Sequence, residues 1–257
     1  EDNTTIYIKP NCDVIGGHTA GVTYAVNLPS KGNVYTCENF VMTTSNAGSS
    51  LSGSIVTSDK PVSVTMNDDS VNPAGGGGCF DLMGDQIVPT DVIGDEYIVN
   101  IGGLNPGSNE SIFIIPAENF TTVTVTDAGV TTQLMNQGET WQYSITDLLT
   151  HIQADKPVYL IHMSGYGCEL GIAILPPLNC AGSAEVSFAR NNNQAFSLNL
   201  LCEAGDENGF TLTGPGTGTI PPAAFSPVPG TGGAWVGTQI TYSTAEIISG
   251  SQNTITN

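Results

Sequence analysis

The sequence predicts an all-β protein built from tandem sandwich-like units, and three observations carry that prediction. Runs of four to eight residues rich in Val, Ile, Thr and Tyr recur along the chain. Gly, Pro, Asn and Asp separate them, which is the pattern of strands joined by turns. No segment longer than two turns keeps a helical apolar period. The third observation is an internal echo between residues 55–89 and 151–180. Both stretches read Asp-Lys-Pro-Val, an alternating run ending in Met, a Cys, a Gly, then Ile-(Val/Leu)-Pro. In the first they are Asp59, Lys60, Pro61, Val62, Met66, Cys79, Gly84 and Pro89. In the second they are Asp155, Lys156, Pro157, Val158, Met163, Cys168, Gly171 and Pro176.

Proline has no N–H to give to a ladder, so each Asp-Lys-Pro reads as the turn that starts a strand. Val62, Val64 and Met66 then share one face, with Ser63 and Thr65 on the other. Each copy is turn, strand, cysteine-bearing loop, strand. A repeat of about 90 residues is too long for a propeller blade, which needs roughly 40–50. The expected architecture is therefore tandem β-sandwich-like units packed into one rigid body, disulfide-containing, with a propeller-like β ring as the alternative. The units are 1–96, 97–183 and a looser or incomplete 184–257.

In chain order, strands are expected at 4–8, 22–28, 35–44 and 51–57, with turns at Gly16-Gly17 and Pro29 to Gly32. Four glycines at 75–78 are not followed by Gly-Lys-(Ser/Thr), so they form a loop rather than a phosphate cradle. Residues 97–101 open the second unit. Residues 112–115 are apolar on both faces, as a central strand should be. In 121–126, TTVTVT, Val123 and Val125 point inward. Turns at 127–129 and 137–139 precede a strand at 141–145. A third echo matches 197–213 to 111–126, and 235–240 to 141–145. The Pro/Gly-rich run 213–233 is a long loop, the type of segment that carries binding. Residues 147–152 and 242–248 read as single helical turns.

Composition excludes whole classes of partner. Twenty-four acidic residues against five basic ones give a net charge of −19, so nothing here neutralises nucleic-acid phosphates. Anionic membrane is disfavoured for the same reason. Charged residues make up 11%, against a norm of roughly 25%, and Thr, Ser, Asn and Gly replace them, as in extracellular β-proteins. The six cysteines, Cys12, Cys37, Cys79, Cys168, Cys180 and Cys202, include no C-x-x-C. That favours disulfides in an oxidising compartment over a zinc site. Fifteen full pairings are open; Cys79 and Cys168 pair with each other or each within its own unit. There is no signal peptide and no apolar run of transmembrane length, and the chain reads as part of a longer secreted polypeptide.

Candidate chemistry is sparse. Two of the five basic residues are Lys60 and Lys156, which points to local pairing or edge protection. His162 is expected on the core side as a satisfied histidine. His18 and His151 have no neighbours at zinc spacing. No H-E-x-x-H and no G-x-S-x-G is present, so no catalytic residue is assigned and the chain is not expected to be an enzyme. Asp68, Asp69, Asp81 and Asp85, with Asp91 and Asp95 nearby, are the candidate calcium ligands, although the EF-hand spacing is absent. Glu203, Asp206 and Glu207 form a second acidic loop. Among so many acids a glycosidase-like pair has little force. Tyr166, Trp235 and Tyr242 have the rings to stack on sugars.

The two Asp-Lys-Pro-Val stretches together resemble the IgGFc-binding protein N-terminal domain family. The resemblance spans most of 51–182 and rests on Asp59–Val62, Cys79, Gly84–Pro89, Asp155–Val158, Gly165, Gly167–Glu169 and Leu175–Pro177. It implies an extracellular, disulfide-containing module of mucus-type animal proteins or large secreted bacterial surface proteins, with no catalytic residue to carry over. Scarce Lys and Arg with abundant Asn and Thr fit the bacterial kind. The expected function is a non-catalytic module of a secreted cell-surface protein, acting in adhesion or binding, or as a subunit of a surface fibre. A calcium-rigidified spacer in a large adhesin is the alternative, and a polysaccharide-acting enzyme a distant one. Expected partners are a protein or glycan at the cell surface, or neighbouring copies joined through 1–8 or 249–257. Nucleic acid and membrane insertion are not expected, and Ca2+ is the one cofactor considered.

Overall fold

The computed structural model describes residues 1–39, 50–71, 80–104, 110–167 and 169–257, and they form strands with two short 3-10 turns. Alternation of side chains sets the pattern from the start. Strand β1 (Thr4–Lys9) buries Thr4, Ile6 and Ile8 and turns Tyr7 and Lys9 outward. It lies between β2 (Tyr24–Leu28) and β3 (Ile55–Ser58) in an antiparallel sheet. At the end of β3 the chain leaves β1 through Asp59-Lys60-Pro61. The Asp59 N–H donates to Thr5 O at 3.1 Å, and Asp59 Oδ1 accepts the Thr5 N–H at 2.8 Å. Lys60 Nζ donates to Asp2 O at 2.6 Å and Asn3 O at 3.1 Å. Asn3 is left-handed, with φ +53°. Beyond Pro61 the chain enters β4 (Val64–Val71), which among the described residues pairs with β5 (Asp81–Ile87) alone. Val64 and Met66 are half-buried and Thr65 is exposed, as their alternation predicts, but Val62 lies before the strand and is 39% exposed instead of sharing their face.

The same bonds recur in the middle of the chain, inside a larger sheet. Its strands are β6 (Gly94–Asn100), β7 (Gly103–Leu104), β8 (Ser111–Pro116), β9 (Thr121–Thr126), β10 (Val130–Met135), β11 (Trp141–Ser144), β12 (Leu149–Gly167) and β13 (Glu169–Ile174). β12 runs for 19 residues and bonds five of the others. Its first part, up to Ala154, lies between β6 and β9; from Val158 it lies beside β8, then β13. Asp155-Lys156-Pro157 is the point of exchange. Asp155 Oδ1 accepts the Thr122 N–H at 2.8 Å, and Lys156 Nζ donates to Asn119 O at 2.6 Å, beside left-handed Phe120 at φ +56°. Pro157 therefore stands within a continuous strand, at the register shift between Gln153 and Val158, and not at a strand start. Its missing N–H costs no rung there, because one neighbour ends as the next begins.

This exchange lets one strand serve a single core. Val123 and Val125 from β9, Ile152 and Ala154 from the first part of β12, and Tyr97 and Val99 from β6 pack with Ile112 and Ile114 of β8 and Val158 and Leu160. Phe113 and Ile115 are half-buried, so β8 is apolar on both faces. The Tyr97 hydroxyl donates to Val158 O at 2.7 Å and accepts the Gly94 N–H at 3.0 Å, fixing the corner from inside. Asp127, 5% exposed, closes the β9–β10 hairpin. It accepts the Thr146 N–H and hydroxyl, the Asp147 N–H and the Thr150 hydroxyl at 2.8–3.1 Å. Burial pushes its carboxyl up, but these bonds outweigh burial and hold it below the ordinary carboxylate range.

The last third contains β14 (Glu185–Ala189), β15 (Phe196–Glu203), β16 (Thr211–Thr213), β17 (Ser226–Pro227), β18 (Trp235–Tyr242) and β19 (Gln252–Thr256). They form two three-stranded sheets, β14-β19-β16 and β15-β18-β17. Arg190, the one arginine, is buried; its guanidinium donates to the carbonyls of Asn192, Gln194, Tyr242 and Ile247 and lies over Phe196. Gln239 Nε2 donates to Ile101 O at 2.8 Å, tying β18 to the end of β6.

Four expectations need correction. Residues 149–152 are strand, not helical turn, because they fill the slot between β6 and β9. Residues 35–38 carry no strand, and 40–44 lie outside the described residues. The run 213–233 is packed: Ile220 and Val228 are buried. Gly230 sits so close to Thr126 and His151 that a Cβ would come within 2.8 Å of Thr126 Oγ1. Finally, β1 and β19, expected to cross between subunits, are each the central strand of a sheet within the chain. Cys12, Cys37, Cys180 and Cys202 are unbonded thiols, and Cys79 and Cys168 lie outside the described residues.

Replacing Asp155 with Ala removes an acceptor from an exposed rung and should cost about 1 kcal/mol in urea unfolding, with Asp59→Ala alike. Asp127→Asn should cost more, about 1.5–3 kcal/mol near neutral pH, since it disturbs buried bonds to a charged acceptor. The lowered folded-state pKa places Asp127's contribution above the unfolded carboxylate value, and it is lost as pH falls through the folded one. The gap between wild type and Asp127→Asn should therefore shrink below about pH 4 in paired melts.

Candidate binding face on the β4–β5 hairpin

In β5, DLMGDQI, the usual alternation is inverted. Asp81, Met83, Asp85 and Ile87 are the more buried set, while Leu82, Gly84 and Gln86 are exposed. A carboxylate turned inward needs donors, and β13 supplies them. Asp81 Oδ2 accepts the Leu170 N–H at 2.8 Å, and Asp85 Oδ2 accepts the Ile174 N–H at 2.8 Å. Both bonds join residues 89 apart in sequence, so β5 and β13 run in the same direction. Side-chain carboxylates take the place of the carbonyls that a directly paired strand would offer. They cover the free edge of β13 and pin the hairpin to the central sheet.

The opposite face of the hairpin is open. Thr65 is paired with Gln86 and Asn67 with Gly84, and with Leu82 they line a shallow groove of about 620 Å³. Gly84 is required there: a Cβ would lie 2.7 Å from Met66 O and 3.2 Å from Asn67 Cβ. Leu82 is 73% exposed, Phe80 64% and Tyr166 55%. Tyr166 is opposite Glu169, and the next residue, Leu170, bonds Asp81, so all three apolar side chains lie at one end of the β12–β13–β5 strip. Two large apolar groups on a hairpin held by charge-assisted bonds, with Tyr166 of β12 at the same end of the strip, make a preorganised surface for a partner.

The other candidate residues have local partners. Lys60 and Lys156 serve backbone carbonyls, as described above. His162 Nε2 lies 2.6 Å from Glu110 Oε1, which also accepts the Gly102 N–H at 2.6 Å, so this histidine is satisfied within the fold. His151 Nε2 meets Glu96 Oε1 at 3.0 Å, and His18 stacks on Tyr24 with ring centroids 3.6 Å apart. Tyr242 is buried with its hydroxyl on Thr219 O, and Trp235 is half-buried, which leaves Tyr166 as the exposed ring of the three proposed for stacking. Asp68 faces Met83 across the hairpin. Asp81 and Asp85 each have an oxygen committed to β13. Among the described residues, no group of three or more His, Cys, Asp or Glu is placed to hold a metal ion. The glycines at 75–78 lie outside the described residues. Phe80 and Leu82 escaped the sequence reading. The signal was present, since DLMGDQI puts acids at the alternate positions that β-proteins ordinarily give to apolar groups.

The family model described as IgGFc binding protein matches residues 1–256. The chain belongs to that family. The match reaches well beyond 51–182, so the N-terminal sheet and the last third are part of the family's domain too. This IgGFc-binding family is one of extracellular binding domains and is not known as enzymatic. No curated protein and no solved structure matches the chain. Among the described residues, no helix is long and apolar enough to cross a membrane.

The double variant Asp81→Ala/Asp85→Ala should release the hairpin without unfolding the core. Amide exchange at Leu170 and Ile174 should rise by at least about tenfold while Ile152 stays protected. Unchanged exchange at both amides would mean that other contacts hold the strip.

Proposed function

We propose that this chain is an extracellular binding module that holds a protein partner on the β4–β5 face through Leu82, Phe80 and Tyr166. The observation that carries the reading is the inverted alternation of β5. It spends carboxylates on anchoring and leaves large apolar side chains in water. Such an arrangement does nothing for the fold of the hairpin itself, because exposed apolar area gains its stabilisation only when covered. The family description makes immunoglobulin Fc the first partner to test. The net charge of −19 favours a partner with a basic surface, so binding should weaken as salt rises.

Leu82→Asp and Phe80→Ser should each weaken binding at least about tenfold in surface plasmon resonance, first against Fc and then against mucus and cell-surface proteins. Leu134→Ser, on the exposed face of β10, should leave it unchanged. Equal losses for all three variants, or no binder in the panel, would sink the reading. A second role is supported by β10 itself. It is an edge strand exposed along nearly its whole length, with Val130 70% and Leu134 62% exposed. Such an edge suits strand addition between neighbouring copies in a surface fibre. Concentration-dependent association abolished by Leu134→Ser, in sedimentation velocity, is the result expected; a monomer at all concentrations rules it out.

A further inference from the structure

We propose that Asn119 carries an N-linked glycan whose first sugars rest on the ring of Phe120. Asn-x-(Ser/Thr) with no proline in the middle is the acceptor pattern for such a glycan, and the family places this chain outside the cell. The pattern occurs three times, as Asn3-Thr4-Thr5, Asn109-Glu110-Ser111 and Asn119-Phe120-Thr121. It is a short pattern, so the surroundings must choose among the three. Asn109 lies outside the described residues. Asn3 has φ +53°, and asparagine tolerates that left-handed backbone better than most residues with a Cβ, so the fold alone accounts for it. The second corner breaks this logic. Its left-handed residue is Phe120, at φ +56°, and the asparagine stands one residue earlier.

Phe120 is doubly unfavourable where it stands. A bulky side chain at positive φ is strained, and this one is also 69% exposed. Its neighbours hold the turn: the Phe120 N–H donates to Asn136 Oδ1 at 3.4 Å, the Thr121 hydroxyl to Glu118 O at 2.9 Å and Gln137 Nε2 to Ala117 O at 2.8 Å. Asn119 is exposed and gives this turn only its oxygens. Its carbonyl takes Lys156 Nζ, and its Oδ1 accepts the Gln137 N–H at 3.2 Å. An aspartate would do both. Among the described residues Nδ2 has no partner, and Nδ2 is the atom that a glycan takes. A sugar bonded there leaves Oδ1 to Gln137 and starts beside the Phe120 ring, so its C–H face can cover apolar area that the fold leaves in water. The donor is a lipid-linked oligosaccharyl diphosphate met during export. Nδ2 attacks the anomeric carbon of its first sugar. The N–C bond forms as the C–O bond to the diphosphate breaks, the lipid diphosphate leaves, and the amide proton passes to a base of the transferase. Thr121 is buried with its hydroxyl committed to Glu118 O, so transfer precedes folding of this turn. None of these residues belongs to the β4–β5 face, so the glycan and the proposed binding site are tested apart.

The test uses the protein purified from the cells that secrete it. The amidase that releases N-glycans, run in heavy-oxygen water, turns a glycan-bearing asparagine into labelled aspartate. A glutamate-specific protease, cutting after Glu118 and Glu139, then isolates residues 119–139 for sequencing by mass spectrometry. The expected result is label on residue 119 that appears with the amidase and not without it. An unmodified Asn119, label at Asn3 or Asn109 alone, or label that needs no amidase each overturn the proposal. Melting then tests the contact with the ring. Removing the glycan should lower the melting temperature of the wild type, and Phe120→Ser, which keeps the acceptor triplet, should abolish that shift. An equal shift in both proteins would show that the sugar does not rest on Phe120.

Discussion

A strand that changes partners must surrender one hydrogen-bonded neighbour before it gains the next, and this chain manages the change with a carboxylate. At Asp59 and at Asp155 the side-chain oxygen reaches back to the strand being left and accepts an N–H that would otherwise lose its rung. The following proline has no N–H to satisfy. The lysine between them fastens the left-handed residue that begins the abandoned strand, Asn3 in one place and the turn at Asn119 and Phe120 in the other. The central core depends on this corner. Across it β12 passes from β9, beside Ala154, to β8, beside Val158, so that the layers carrying Ile152 and Leu160 share one interior.

Much of this was legible in the sequence, and the parts that were not share a cause. TTVTVT at 121–126 forms the predicted strand to the residue, and the apolar run at 112–115 lies within the interior strand β8. Alternation is a local signal and was read locally. Pro157 misled because its rule names a strand's start or edge, whereas here a change of neighbours makes the interior of β12 permissive. Asp81 and Asp85 looked like cation ligands because their donors, at Leu170 and Ile174, are 89 residues away. Tyr242 looked available for stacking until the hydrogen bond to Thr219 buried it. In each case the missing information was a long-range partner.

Inward carboxylates also explain why the hairpin can carry exposed Phe80 and Leu82. A hairpin held by apolar packing alone would gain by turning Leu82 inward, and a one-residue slip would do it. The bonds from Asp81 and Asp85 forbid that slip, because it would swing both acids into water and strip two N–H groups on β13 of their acceptors. Anchoring and display are therefore separated by face. The membership in a family of extracellular binding domains fits such a division.

The treatment of lysine has a consequence for survival outside a cell. The chain has only five basic residues. Between Lys31 and Arg190, the lysines at 60 and 156 are each followed by proline, a peptide bond that trypsin-like proteases cut poorly, and their amines are occupied by backbone carbonyls. Arg190 is buried with its guanidinium enclosed by carbonyls. The residues that build the corners thus leave the central part of the molecule without a good site for trypsin-like proteases, and a fold made for strand exchange also resists that one kind of digestion.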